Sequence, residues 1–309
     1  MSARVRELKM VPRAEPRSYY GRPVIKSPVW KPEVPWYFFT GGLSGASSTF
    51  ALAAGWAGSD LLARRSWMVA MLTGVVNPVL LISDLGRPER FLNMLRMFKV
   101  TSPMSVGSWV VAVSGSANGV ATMSRVLGVT PRLGAVARLA AGASGLPMAT
   151  YTAVLIANTS VPVWREARHE LPFVFAGGAA ASAGAAAAIA APRTAAGPAR
   201  RLAVIGSVLE QGAAIAMERR LGDLAAPYRD GDAARYTKLA RALTLAGAAL
   251  IGLVGRRSRL AAAVGGTAVL GGSVAERWGV FEAGKHSARD PRFTVGPQRA
   301  RLEERDGDR

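Results

Sequence analysis

Apolar residues gather in eight blocks along the chain, at approximately 36–58, 66–83, 105–123, 136–158, 171–191, 202–217, 239–254 and 260–281. A helix crossing the hydrocarbon layer needs about 20 apolar residues, and roughly 17–25 are tolerated. Five blocks pass the lower limit easily, while the second, sixth and seventh are marginal. Almost none of them sets an apolar face against a polar one, as a helix of a soluble protein does. The pattern therefore predicts an all-α polytopic membrane protein with about eight transmembrane helices.

Half of the 309 residues are hydrophobic and the formal charge is +19. Such an excess of Lys and Arg is also the usual footprint of nucleic-acid binding, but its distribution points elsewhere. With the N-terminus on the cytoplasmic side, 27 of the 39 Lys and Arg fall on inside segments and 11 on outside loops. That bias is the positive-inside pattern of a polytopic membrane protein, with both termini cytoplasmic. Residues 1–35 are polar, basic and rich in proline, with no apolar central stretch, so no cleavable signal peptide is expected. The prolines there exclude a helix and predict an extended arm.

Missing residue types narrow the chemistry. There is no Cys, and the only histidines, His169 and His286, are both expected in loops. Axial haem ligands would have to project from helices, and clusters need thiolates. The chain therefore carries neither haem nor an iron–sulfur cluster of its own.

Several polar positions stand out against this background. Ser83-Asp84-Leu85-Gly86-Arg87-Pro88-Glu89-Arg90-Phe91 follows the second block directly, and Ser102-Pro103-Met104-Ser105-Val106-Gly107-Ser108-Trp109 opens the third. Asp84 and Arg87 thus sit where lipid meets water, a costly place for charge unless it is paired or used. Asn77-Pro78 interrupts the second helix, where Asn77 either satisfies a freed carbonyl or faces a cavity. Tyr151 lies in the fourth helix, with a hydroxyl that needs a partner when buried. Glu210 falls in the middle of the sixth block, where a carboxylate is protonated, paired or part of a proton route. Glu276 and Arg277 read as an internal ion pair near the end of the last block. Small residues in Gly41-Gly42-Leu43-Ser44-Gly45 permit close approach of a neighbouring helix.

Taken together, residues 36–47, 84–91, 102–109, 151–164 and 277–284 resemble the NrfD/PsrC family, integral-membrane subunits of polysulfide-reductase-type complexes. The resemblance extends over about 36–297 and is most specific in the first half. It implies two four-helix bundles, 36–160 and 161–281, flanked by a basic arm (1–35) and a basic tail (282–309). It further implies a quinone or quinol site, for menaquinone or ubiquinone, at one membrane face in the first bundle. An iron–sulfur subunit and a molybdopterin catalytic subunit would be the partners, in the cytoplasmic membrane. The family's site residues would map to Tyr151, Asp84 and Arg87, with Thr40 and Ser44 on the small-residue face of the first helix. Asp84 and Glu210 would serve the proton pathway. Some relatives place Asn or His on the first helix, whereas here it offers the hydroxyls of Tyr37, Thr40, Ser44, Ser47, Ser48 and Thr49, which donate hydrogen bonds but do not hold a proton as His does. The competing readings are a solute or ion transporter, for which Asn77-Pro78 and Glu210 would be markers, and a structural anchor without quinone.

Overall fold

The computed structural model describes residues 23–298. Residues 1–22 of the basic arm and 299–309 of the basic tail lie outside those residues. Among the described residues the α-helices are α1 Glu33–Trp56, α2 Asp60–Asp84, α3 Pro103–Leu127, α4 Pro131–Ala157, the short α5 Pro162–Glu166, α6 Leu171–Ala190, α7 Gly197–Leu221, the short α8 Ala226–Arg229, α9 Gly231–Ala249 and α10 Arg259–Arg289, followed by a helical segment at 292–298. Among the described residues there is no strand.

Local chemistry sets the helix starts. Proline occupies the first turn of α3, α4, α6 and α7, where its missing N–H would be unpaired in any case. Ser102 caps α3 through the Ser105 N–H, and Ser258 caps α10 through the Ala261 N–H at 3.1 Å. Gly128, with φ 69°, ends α3 in the left-handed conformation, which glycine adopts without a Cβ clash.

Four helices are long and apolar enough to cross a membrane: α2, α4, α6 and α9 with its extension to Val254. Two of these contain blocks whose apolar core looked marginal. They gain length because the helix runs on through polar ends, Asp60-Leu61-Leu62-Ala63-Arg64-Arg65 in α2 and Gly231–Lys238 in α9.

Side-chain placement agrees with this setting. Leu72 and Leu253, at 69% and 79% exposure, project outward, while Ser44, Ser48, Asn118 and Thr244 are buried. Water would favour the reverse; lipid accepts aliphatic surface and requires polar groups to find partners inside. The chain is an all-α membrane protein.

Helix α1 packs on α2 and α4, α3 on α4 and more lightly on α2, α6 on α7 and α10, and α9 on α10; α6 also touches α1 and α4. Glycines mark the tightest crossings. A Cβ on Gly45 would lie 2.5 Å from the Gly145 carbonyl oxygen, and one on Gly247 would lie 2.6 Å from that of Gly265. Side chains are absent there because backbones touch.

At the start of α6, Arg220 of α7 donates to both carboxylate oxygens of Glu170 and to the Glu166 carbonyl. The hydrogen bond from Arg220 is the main reason the Glu170 carboxyl titrates below its ordinary value. A depressed folded pKa means stabilisation that is complete above the unfolded value, about 4.3. It is lost as the pH falls through the folded value. Arg220→Ala is expected to flatten this acid-side loss and to cost less than about 1 kcal/mol at neutral pH, because the pair is partly exposed. Unfolding curves in detergent at neutral and acidic pH check this; the same acid sensitivity in parent and variant would refute it.

Candidate functional site

The second loop motif folds back on the segment that joins it to the first, between the end of α2 and the start of α3. Ser105 Oγ accepts from the Lys99 N–H and donates to the Met97 carbonyl, each at 3.0 Å. Trp109 Nε1 donates to the same carbonyl at 3.3 Å, and its ring meets Phe98 edge-on. Much of the Ser102–Trp109 string is therefore spent on pinning the loop that leaves the 3-10 helix Pro88–Leu95. Gly107 has a different use. A Cβ there would come within 2.5 Å of the Tyr151 ring, so its absence lets that ring lie against α3.

Beneath this loop is a small cavity of about 90 Å³ between α1, α2, α3 and α4, lined by Tyr37, Asp84, Met94, Met104, Gly107 and Tyr151 among others. Tyr37 and Tyr151 meet edge-to-face with centroids 6.3 Å apart. The Tyr37 hydroxyl is buried and has no hydrogen-bond partner among the described residues. A buried donor without a partner costs about 1–3 kcal/mol, so the site is incomplete as it stands. Asp84 accepts from the Lys31 backbone N–H at 3.1 Å, and Lys31 Nζ donates to the Ser83 carbonyl at the end of α2. Trp30, just before it in the arm, stacks on Trp164 at 5.5 Å, and the Trp164 indole donates to the Val280 carbonyl at 2.7 Å. The arm thus straps the cavity's outer edge to α5 and α10.

A family model described as Polysulphide reductase, NrfD matches residues 24–228, about two thirds of the chain. The chain belongs to the NrfD family. No curated protein matches it.

The residues singled out in this NrfD chain from sequence do not converge on one point. Asp84 and Tyr151 line the small cavity. Arg87 precedes the 3-10 helix without capping it through its side chain, is exposed, and forms no ion pair with Asp84 among the described residues. Thr40 Oγ1 lies 2.6 Å from Asn77 Oδ1 and 3.0 Å from the Trp36 carbonyl, so its proton is already used. Of the two roles open to Asn77, the side chain takes the second: it accepts from Thr40 and lines a larger cavity deeper in the helices. Ser44 lines that cavity as well and donates to the Ala70 carbonyl at 2.8 Å. Tyr37 is the site residue that sequence reasoning passed over. The signal was present, as a hydroxyl in the first turn of a helix, but its direction was not.

A second buried cluster lies within α6, α7 and α10, one aromatic layer from this pocket: Phe38, which lines the pocket, meets Phe175 with centroids 5.8 Å apart. Glu210, fully buried, faces Arg277 Nη1 at 3.8 Å. The Arg277 guanidinium lies 4.0 Å from the centroid of Phe175 and donates to the Phe175 carbonyl at 3.0 Å. The expected Glu276–Arg277 pair is thus replaced by a pair between helices, because adjacent residues on a helix point about 100° apart. Glu276, also buried, lies in the field of Arg277, Arg241 and Glu218. Arg241 donates to Glu218, and the nearby Tyr228 phenol, outside the apolar blocks, is pushed up by burial and by these carboxylates.

Proposed function

We propose that this NrfD-family subunit binds a quinone or quinol head at the Tyr37–Tyr151 pocket and is the membrane anchor of a multisubunit redox complex. The reading includes eight transmembrane helices in two four-helix bundles, α1–α4 and α6, α7, α9 and α10. The contacts of α1 with α2 and α4, and of α6 with α7 and α10, support that grouping. The partners are an iron–sulfur subunit and, through it, a molybdopterin catalytic subunit, on the side of the membrane where the motif loop lies. The charge bias favours the cytoplasmic side of the cell membrane for that loop and both termini.

The observation that carries the quinone reading is the buried, unpartnered Tyr37 hydroxyl in an aromatic and methionine-lined slot. A ring carbonyl is the acceptor such a donor lacks, and the Tyr151 face offers an edge-to-face partner. Met94 and Met104, unbranched and adaptable, bound the slot and can yield to an entering ring. When bound, a quinone supplies the two-electron chemistry, and this chain supplies position, hydrogen bonds and proton access. Tyr37 and Tyr151 orient the ring by donating from their hydroxyls. Asp84 exchanges a proton between the pocket and the water-facing loop, with Lys31 keeping the carboxylate turned inward. Arg87 contributes positive potential at the pocket mouth. Thr40 and Ser44 act behind it, holding Asn77 and the α2 backbone. Glu210 is a second proton site in the other bundle; both of its oxygens lack a hydrogen bond among the described residues.

The test uses the purified complex with short-tail menaquinone and ubiquinone analogues. Tyr37→Phe and Tyr151→Phe are each expected to raise the analogue's Kd roughly 3–10-fold, the value of one neutral hydrogen bond. Gly107→Ala should do the same by displacing the Tyr151 ring. Asp84→Asn should lower turnover with little change in Kd. Unchanged Kd in both tyrosine variants would remove the ligand from this pocket.

A further inference from the structure

The largest cavity near the proposed site is not the one with the tyrosines. A crevice of about 400 Å³ opens between α2 and α3, floored by Ser44 of α1 and Met148 of α4, with Phe91 and Leu95 of the 3-10 helix at one end. Its size falls within the range of small-molecule sites, roughly 300–1,000 Å³. It opens outward: Val75 is 61% exposed, and Gly115 and Ser116 are exposed as well. Gly115 and Gly119, one turn apart on α3, have open space where a Cβ would be. Two missing side chains thus help create the opening. In the membrane-spanning arrangement proposed above, it faces acyl chains rather than water.

Two buried polar atoms in this largely apolar crevice have no hydrogen-bond partner among the described residues. Ser114 and Asn118, each 2% exposed, line it from one face of α3. Asn118 Oδ1 accepts from Ser48 at 2.9 Å, but its Nδ2 lacks an acceptor, and so does the Ser114 hydroxyl. Water is a poor answer to both. A buried water needs two to four polar partners; Ser44 and Asn77 also line the crevice, but the Ser44 hydroxyl is spent on the Ala70 carbonyl and Asn77 Oδ1 on Thr40, and most of the remaining wall is Met71, Val75, Pro78, Val111 and Met148. The complementary occupant is apolar and flat enough for the cleft, and carries hydrogen-bond acceptors on an otherwise uncharged body. Ser114 is six residues beyond Ser108 of the tyrosine pocket, about 9 Å deeper along the helix.

We propose that the α2–α3 crevice is a second site for a carbonyl-bearing ring of the quinone class, entered sideways from the lipid and held by Ser114 and Asn118. The class of ligand rests on the quinone reading above; the existence and position of the site do not.

The experiment photolabels the full chain in nanodiscs with an azido-quinone, maps adducts by peptide, and repeats the labelling under excess unlabelled quinone. Saturable adducts are expected on the 71–78 and 111–119 segments as well as around Tyr37 and Tyr151. Gly115→Leu with Gly119→Leu, which fills the crevice without meeting other atoms at Cβ, should abolish the crevice adducts and leave those at the pocket. Ser114→Ala with Asn118→Leu should raise the half-saturating concentration for crevice labelling roughly 10-fold or more, the loss of two hydrogen bonds. Crevice adducts without pocket adducts would support this site and sink the tyrosine pocket. Pocket adducts alone, or crevice adducts that excess quinone does not displace, would overturn the second site. If the leucine variant does not fold, the competition map of the parent chain still decides.

Discussion

Arg277→Leu is expected to destabilise the protein by about 3–5 kcal/mol, the cost of stranding a buried charge by removing its partner. Glu210 would lose the only cation that faces it at ion-pair distance among the described residues, and the Phe175 carbonyl would lose its donor. A loss of that size is a large share of the 5–15 kcal/mol typical of a folded protein, so yield from membranes should fall sharply. Arg277→Lys should be intermediate, since it keeps the charge but not the flat stack on Phe175. Removing both partners, with Glu210→Leu added to Arg277→Leu, should recover part of the loss, because the α7 carboxylate that faced Arg277 of α10 is then gone as well. Recovery would be incomplete while Glu276 remains buried beside it. Melting midpoints of the detergent-purified variants decide the matter. An unchanged midpoint for Arg277→Leu would mean that the pair contributes nothing.

Gly45→Val is expected to cost about 1–3 kcal/mol or more, since overpacking cannot be absorbed by a side-chain shift here. The atoms a Cβ would meet are the Gly145 carbonyl oxygen at 2.5 Å and the Ala149 nitrogen at 2.9 Å, both backbone atoms of α4. The helix itself must move. Because α1 carries Tyr37 and α4 carries Tyr151, the same movement would pull apart the edge-to-face pair. Stability and quinone affinity should therefore fall together. Gly115→Val is the control, because nothing lies within 4 Å of the new Cβ. It should leave the melting midpoint close to the parent's. If Gly45→Val melted like the control, the α1–α4 crossing would not be the close contact described above.

Much of this protein was legible in one dimension. The eight apolar blocks overlap eight long helices. The loop motifs pointed to the family that the match then supported. Particular side chains were less legible. Thr40 and Ser44 looked equivalent to Tyr37 as hydroxyls on the first helix, yet they bond to Asn77 and Ala70 while Tyr37 points unpartnered into the pocket. Glu276 and Arg277, adjacent in sequence, diverge, and Arg277 reaches across to Glu210.

The division has a physical cause. Hydropathy locates a helix along the chain because burial in lipid depends on composition, which sequence states directly. In water the same pattern would also give each helix its rotation, since one face must be polar. A helix with lipid on one side and protein on the other is apolar all round, so the rotational signal is nearly absent. Sequence by itself determined where the long apolar helices lie along the chain and which metal-ligating residue types it contains. Only the tertiary structure decided which faces meet. That choice was set by glycine contacts such as Gly45 on Gly145 and by the few buried polar groups that must find partners, or, like Tyr37, Ser114 and Asn118, await one.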